Sequence, residues 1–216
     1  MICLHVSTFR CRIIPASASA SRHALALTLL YMLQGIPCLY YGTEQRLLGA
    51  GDRPEVVSEA LWGRAAPNGA FDREHPFYLA IQTILRVRRE QPALRYGRQY
   101  FRPISGNNTH FGISAFRGGV LAFSRIFNDQ EILVIANASA QFGFDGSILV
   151  DFALHRPKAP GHLLYSNKLG VREVGAIREY PTGGVEVMEA HSLSRGLIRV
   201  LDAVRLEPME VQIVAF

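Results

Sequence analysis

The sequence predicts a short α/β segment followed by an antiparallel all-β sandwich. Three observations predict it. Residues 23–34 are rich in Ala and Leu and apolar on every side, the composition of a buried helix. They run directly into residues 36–41, an apolar stretch of strand length between Gly35 and Gly42, and a helix feeding a strand covered on both faces is the grammar of parallel pairing. Beyond Gln91 the apolar spacing changes from the helical period to alternation, with turn residues between short runs.

Residues 1–22 have no usable period, end in an Ala/Ser alternation and contain neither Asp nor Glu. They are set apart as atypical, either disordered or not native to the rest of the chain. The helix of residues 23–34 has few β-branched residues, and Gly35 is placed as its C-cap. The strand of residues 36–41 hands over to Gly42-Thr43-Glu44-Gln45, and chemistry is expected at that polar end. Residues 46–72, broken by Gly49, Gly51, Pro54, Gly63, Pro67 and Gly69, read as an elaborated loop with one helical turn near residues 54–61.

A second helix is predicted over residues 73–90. Phe77, Ala80, Ile81, Ile84 and Leu85 share a core-facing stripe, Asp72 serves as N-cap, and Arg86, Arg88 and Arg89 suit the C-terminal dipole. Pro76 fits the first turn and Pro92 stops the helix. The change of period at residues 91–93 marks a domain boundary, giving residues 23–91 and 92–216 as two parts. Strands are expected over residues 98–104, 111–117, 120–127 and 131–136, with Gly118-Gly119 and Asn128-Asp129 as hairpin turns, then over 163–165, 185–188, 196–201 and 209–216. Many short strands with edges to hide make an antiparallel sandwich.

Composition narrows the function. A chain of 216 residues with 49% hydrophobic and 19% charged residues is long and apolar enough to bury a core. Cys3, Cys11 and Cys38 match neither a pairing framework nor a metal-ligand spacing, which fits a reducing compartment. The formal charge is +5, and Arg86, Arg88, Arg89, Arg95, Arg98 and Arg102 cluster around Tyr96, Tyr100 and Phe101. A helix C-terminus and a solvated face account for such a cluster, so no nucleic-acid partner is expected. The longest apolar run, residues 24–33, is too short to span a bilayer, and no membrane partner is expected. Arg10 and Arg12 occupy the place of a signal peptide's apolar region, so a cytoplasmic location is expected. The histidines lack a zinc spacing, and no phosphate loop, dinucleotide fingerprint or Gly-x-Ser-x-Gly motif occurs, so neither a cofactor nor a metal is expected. Asn107-Asn108-Thr109 and Asn137-Ala138-Ser139 fit the glycosylation sequon, a chance match on this reading.

Gly35-Ile36-Pro37-x-x-Tyr40-Tyr41-Gly42-x-Glu44 resembles the eighth barrel strand of the α-amylase family, glycoside hydrolase family 13. The rest of the chain keeps that family's order. A long loop leads to a closing amphipathic helix with Val87-Arg88 and Gln91-Pro92-Ala93-Leu94. Val120-Leu121-Ala122-Phe123-Ser124-Arg125 and Ile132-Leu133-Val134-Ile135-Ala136-Asn137 are then similar to the family's C-terminal β-sandwich. The resemblance covers residues 23–216 and implies the last unit or units of an incomplete (β/α)8 barrel followed by that sandwich. It also implies enzymes that cleave or transfer α-glucosidic bonds with retention, through a covalent glycosyl intermediate. The implied partners are an α-glucan or oligosaccharide and the missing barrel portion.

In the family the nucleophile, the acid and a third, transition-state carboxylate come from barrel strands four, five and seven, all upstream of the eighth. A closed barrel takes about 250 residues, so this chain is expected to carry no catalytic residue. Shortly before the eighth strand the family has an Asn-His-Asp motif or a close variant, whereas residues 1–22 offer His5 without any carboxylate. That segment is expected to be a frameshifted or rearranged start. The frameshift idea fails if neither other frame upstream of codon 23 encodes an Asp-containing family motif.

Tyr41, Glu44 and Trp62 are the candidate substrate-binding residues. Glu44 sits at the end of a barrel strand on this resemblance, where charged residues often act; capping the loop or pairing with Arg46 is the competing role. Tyr40 and Tyr41 point opposite ways on a strand, so one faces the interior, and core packing competes with binding. Trp62 either stacks on a sugar face or anchors the loop by packing. Asp52, Glu55 and Glu59 share a helical face and read as solvated. The expected function is the C-terminal portion of an α-amylase-like glycoside hydrolase, inactive alone; the alternative is a non-catalytic carbohydrate-binding or structural module.

Overall fold

The computed structural model describes residues 20–46, 71–113, 119–168, 174–187 and 196–216. Most of the atypical start, the helical turn expected near residues 54–61 and the greater part of the strand expected at 111–117 lie outside these residues. Among the described residues strands predominate and helices are few. The chain divides into two compact units, one built from residues within 1–31 and 35–86, the other from 32–34 and 87–216.

In the first unit, α1 (Ala20–Met32) buries Leu25, Leu27 and Tyr31, and its buried Thr28 hydroxyl donates to the Ala24 carbonyl at 2.7 Å. The helix stops at Met32, short of the expected Gln34, and Gly35 takes φ 134° beyond it. The predicted strand at residues 36–41 does not form. The chain there has no ladder partner among the described strands, and Ile36 is 68% exposed. A strand buried on both faces needs neighbours on both edges, and without them the segment stays irregular.

The second helix, α2 (Pro76–Glu90), begins later than expected. His75 supplies its N-terminal contacts, its carbonyl accepting from Leu79 at 3.1 Å and its ring Nδ1 from Phe77 at 3.2 Å. Asp72 instead accepts from the Glu74 N–H in the preceding turn. Pro76 takes the first helical position, where a missing N–H costs nothing. Phe77, Ile81, Ile84 and Val87 form the buried stripe, while Leu85 is exposed because it lies one step off that line. Pro92 ends α2 and also opens a short unexpected helix, α3 (Pro92–Tyr96), again from the first position.

In the second unit, one sheet has the order β1 (Arg98–Phe101), β4 (Val120–Phe127), β5 (Gln130–Asn137), β11 (Val211–Ala215) and β7 (His162–Ser166), all antiparallel. The other runs β2 (Ile104–Ser105), β6 (Phe144–Leu149), β10 (Leu197–Leu206) and β8 (Ile177–Pro181), again antiparallel. A small parallel pair joins β3 (His110–Phe111) to β9 (Glu186–Val187). Alternation sends Val120, Ala122, Leu133, Ile135 and Val214 of the first sheet into one apolar cluster with Ile104, Phe144, Ile148, Leu201, Val204 and Leu206 of the second.

The predicted strand 98–104 is two strands in different sheets. Arg102 makes the last rung to Ala122 at 2.8 Å; Pro103 has no N–H to continue, and its carbonyl accepts from Leu149 of the other sheet at 2.9 Å. The hairpin at Asn128-Asp129 forms as expected, with Phe127 opposite Gln130 and Asn128 at φ 53°. Strands β6 and β8 add to the expected set, and β10 runs on past Leu201 through a bulge at which Ala203 has φ 56°.

Candidate functional site

The polar end of the first-unit motif is a tight turn. Gly42 at φ 84° lets the chain reverse into a 3-10 turn over Thr43–Gln45, and the Thr43 hydroxyl donates to the Tyr40 carbonyl at 2.7 Å. Because this is a turn and not a strand, Tyr40 and Tyr41 do not diverge. Their rings stack with centroids 4.3 Å apart and their hydroxyls are 3.0 Å apart. Glu44 is half-exposed, and its carboxylate has no hydrogen-bond or ion-pair partner among the described residues. Arg46, its expected partner, lies over the Phe77 ring at 5.6 Å from the centroid.

Gln45 has a structural task. Its amide Nε2 donates to the Asp72 carbonyl and its Oε1 accepts from the Asp72 N–H, both at 3.0 Å, so the two ends of the long loop are tied together. Trp62, Asp52, Glu55 and Glu59 lie outside the described residues. Tyr41 and Glu44 are thus brought to one turn, and Trp62 is not located relative to them.

The second unit holds a buried polar hub that the sequence did not announce. Glu131, with no exposed side-chain surface, accepts at Oε1 from Arg102 Nη2 at 2.8 Å and from the Ser124 hydroxyl. Its Oε2 takes His155 Nε2 at 2.5 Å and the Asp151 N–H at 3.1 Å. Burial alone would push this carboxyl up. The His155 hydrogen bond, the Arg102 charge and the Ser124 hydroxyl outweigh it and hold the group below its ordinary value. A carboxylate with every acceptor site engaged by fixed donors is neither a nucleophile nor a base; it braces the fold. Glu210 does similar service, accepting from Ser166, Gln212 and the Glu207 N–H. No signal short of the fold itself finds these partners, because His155 comes from an irregular stretch far from Glu131 in sequence.

Arg125 is the third such group. Only 1% exposed, it donates through Nη1 to the Met32 carbonyl at 2.8 Å and through Nη2 to that of Gly97 at 2.8 Å. Burial, and after it the charge of Arg88, push its guanidinium down to about 10. Asn137, in one of the sequons, is fully buried and bonded to the Phe142 and Glu207 carbonyls. Among the described residues no group of three or more His, Cys, Asp or Glu is placed to hold a metal ion, and no helix is long and apolar enough to cross a membrane.

No protein-family model matches the chain. The cyclomaltodextrin glucanotransferase of Geobacillus stearothermophilus is 28% identical over 167 residues, 76% of this chain and 20% of that protein. One from Paenibacillus macerans is 27% identical over 184 residues, 83% of this chain and 22% of that protein. Alpha-amylase 1 of Schizosaccharomyces pombe is 38% identical over 65 residues, 30% of this chain and 9% of that protein. The chain therefore spans about a fifth of the length of these glucanotransferases. Among solved structures, the γ-cyclomaltodextrin glucanotransferase of the alkalophilic Bacillus clarkii superposes with TM-score 0.56 at 22% identity, covering 93% of this chain and 24% of that one. The Nostoc punctiforme debranching enzyme does so with TM-score 0.56 at 20% identity, covering 93% and 32%. At such identities the superpositions carry the fold, and the sequence matches carry the kinship. The chain is a relative of the α-amylase family, glycoside hydrolase family 13, and the small share of those enzymes that it spans is in keeping with a C-terminal fragment.

Proposed function

We propose that the chain is the C-terminal portion of an α-amylase-like glycoside hydrolase that acts on α-glucans by a retaining mechanism. Residues 23–91 are then the last unit of its (β/α)8 barrel and residues 92–216 its antiparallel β-sandwich. One observation carries this reading. The Gly35–Glu44 motif is followed, in the family's order, by an amphipathic helix and by two segments, around residues 120–125 and 132–137, that lie side by side as β4 and β5 of a two-sheet unit.

Retention needs a carboxylate to attack the sugar and a protonated carboxylic acid to release the leaving oxygen. On this reading both belong to barrel strands that precede residue 23, so the reaction is the parent enzyme's. Glu131 and Glu210 are engaged by fixed donors inside the β unit, which supports a bracing role for them. Tyr41, Glu44 and Trp62 are assigned to the rim of the sugar site, with Glu44 left available by its lack of a described partner. The missing barrel portion is the partner this reading calls for.

The purified chain, assayed on soluble starch and on maltooligosaccharides, is expected to release no reducing sugar. Turnover by the chain alone overturns the proposal. Retention on starch that Trp62→Ala weakens favours a carbohydrate-binding module instead.

A further inference from the structure

Within the β unit, residues 151–156 carry the chain from β6 in one sheet toward β7 in the other and join neither ladder. The Asp151 carboxylate shapes their turn, accepting from the Ala153 and Leu154 N–H groups at 2.9 and 3.2 Å. Two further side chains fasten this crossing. Glu131 on β5 accepts from the Asp151 N–H at 3.1 Å and from His155 Nε2 at 2.5 Å. Arg199 on β10 donates through Nη1 to the Phe152 carbonyl at 2.6 Å and to the His155 carbonyl, and its guanidinium lies 4.0 Å from the centroid of the Phe152 ring. The His155 ring packs on Phe216 with centroids 4.3 Å apart, and Phe216 packs against the apolar core.

The two fastenings answer differently to acid. Arg199 grips backbone carbonyls, which have no proton to gain. Glu131 grips only as an acceptor, and an ionised carboxylate accepts at both oxygens whereas a protonated one does not. A proton taken up at Oε2 meets the donors of the crossing; one taken up at Oε1 leaves them facing a neutral carboxyl. The charged and titratable groups around it are Arg102 from the chain after β1, and Asp151 and His155 from the crossing. Once Glu131 is neutral, Arg102 still has the Asp151 carboxylate at 4.0 Å, but His155 has no other carboxylate partner among the described residues. Burial raises this carboxyl, yet the His155 hydrogen bond, the Arg102 charge and the Ser124 hydroxyl hold it below its ordinary value. Freed of those donors it takes a proton more readily, so falling pH favours the open form.

We propose that residues 151–156 are an acid-released latch: closed while Glu131 is ionised, it lets go of β5 when that carboxylate takes up a proton, and both ladders stay intact. Release frees the Asp151 amide and the His155 side chain and uncovers the Phe216 ring. Arg199 keeps the Phe152 and His155 carbonyls on β10, so the opening is confined to the crossing. The latch is independent of the function proposed above, since no sugar and no residue ahead of Val87 takes part in it.

Hydrogen exchange on the full chain over a pH series tests it, each amide's protection being taken relative to its free exchange rate at the same pH. Protection of the Asp151 amide is expected to fall by roughly tenfold or more between neutral pH and about pH 3, the worth of a hydrogen bond to a charged group. Amides of β5 and β10 are expected to keep theirs. Glu131→Gln is expected to show the weakened protection already at neutral pH and to lose the pH response. Asp151→Asn is expected to keep the native response at the same amide, because the crossing's own carboxylate is not the sensor. A native Asp151 amide whose protection stays flat to about pH 3 overturns the latch. So does an equal loss throughout β5 and β10, which is acid unfolding of the whole unit. A pH response that survives Glu131→Gln or disappears in Asp151→Asn overturns it as well. Should Glu131→Gln fail to fold, the native chain and Asp151→Asn decide by the same readout.

Discussion

Glu131 and His155 meet at 2.5 Å inside the β unit, and almost no surface of either side chain reaches solvent. The same carboxylate takes Arg102, Ser124 and the Asp151 N–H, so it gathers the chain just after β1, the middle of β4, the start of β5 and the chain after β6 onto one charge. A hub of this kind is unequal in its members. Removing the carboxylate takes this acceptor from Arg102, Ser124, His155 and the Asp151 N–H at once, whereas removing one donor leaves the others to hold the charge. Glu131→Ala is therefore expected to cost about 3–5 kcal/mol, and His155→Phe about 1–3 kcal/mol. Urea unfolding of the two variants measures the order; a Glu131→Ala cost no larger than that of His155→Phe contradicts the hub.

The same carboxylate dictates a response to acid. Its folded value lies below the ordinary 4.5 because His155, Arg102 and Ser124 together outweigh burial. As pH falls, the unfolded chain takes up this proton first, so the unfolded state gains. The stability contributed by the ionised group is complete above about 4.5 and drains away below it, through the lower folded value. Urea midpoints are expected to fall more steeply below that pH for the native chain than for Glu131→Gln. Parallel curves for the two mean that the proton responsible is taken up elsewhere.

Gly146 separates structural glycines from incidental ones. A Cβ there would sit 2.1 Å from the Ser105 carbonyl oxygen, where β2 crosses to pair with β6, while one at Gly183 would meet nothing within 4 Å. Backbone does not yield as a flexible side chain does. Gly146→Ala is expected to destabilise by about 1–3 kcal/mol, and Gly183→Ala to stay within about 0.5 kcal/mol of the native chain. Thermal unfolding measures both, and equal shifts contradict the close approach.

That glycine also explains which strands are legible in the sequence. The β4–β5 hairpin can be read because its apolar alternation meets at Asn128-Asp129, a turn written in the sequence. Strand β6 cannot, because Asp145, Gly146 and Ser147 interrupt its apolar pattern for reasons of packing that only the neighbouring strand supplies. Pro103 is compatible with one continuous strand in sequence and in fact moves the chain between sheets. At the motif, Gly42 and Thr43 are legible as the end of an element, yet the stacked Tyr40–Tyr41 pair is not, since alternation holds only where a ladder holds. The hub residues Glu131 and His155 carry no local signature at all; they are long-range partners in an irregular frame.

Solution behaviour follows from the first unit. Ile36 is 68% exposed, Phe71 48%, Leu79 46% and Leu85 43%, all within residues 35–86. Scattered apolar side chains on a surface need no explanation, but Ile36 sits in a segment without a ladder, so its backbone groups are open to another chain as well. Full burial of one Ile side chain is worth about 1.5–3 kcal/mol, and an association that buries it on two chains doubles the gain. The purified chain is therefore expected to self-associate with rising concentration, seen as a growing weight-average mass in sedimentation or light scattering. Ile36→Lys is expected to shift that association to higher concentration without changing unfolding of the β unit, because the residue contributes nothing to the β unit's core. A monodisperse monomer over the whole concentration range contradicts the exposed irregular segment at Ile36 as the cause, and so does an Ile36→Lys variant that associates as readily as the native chain.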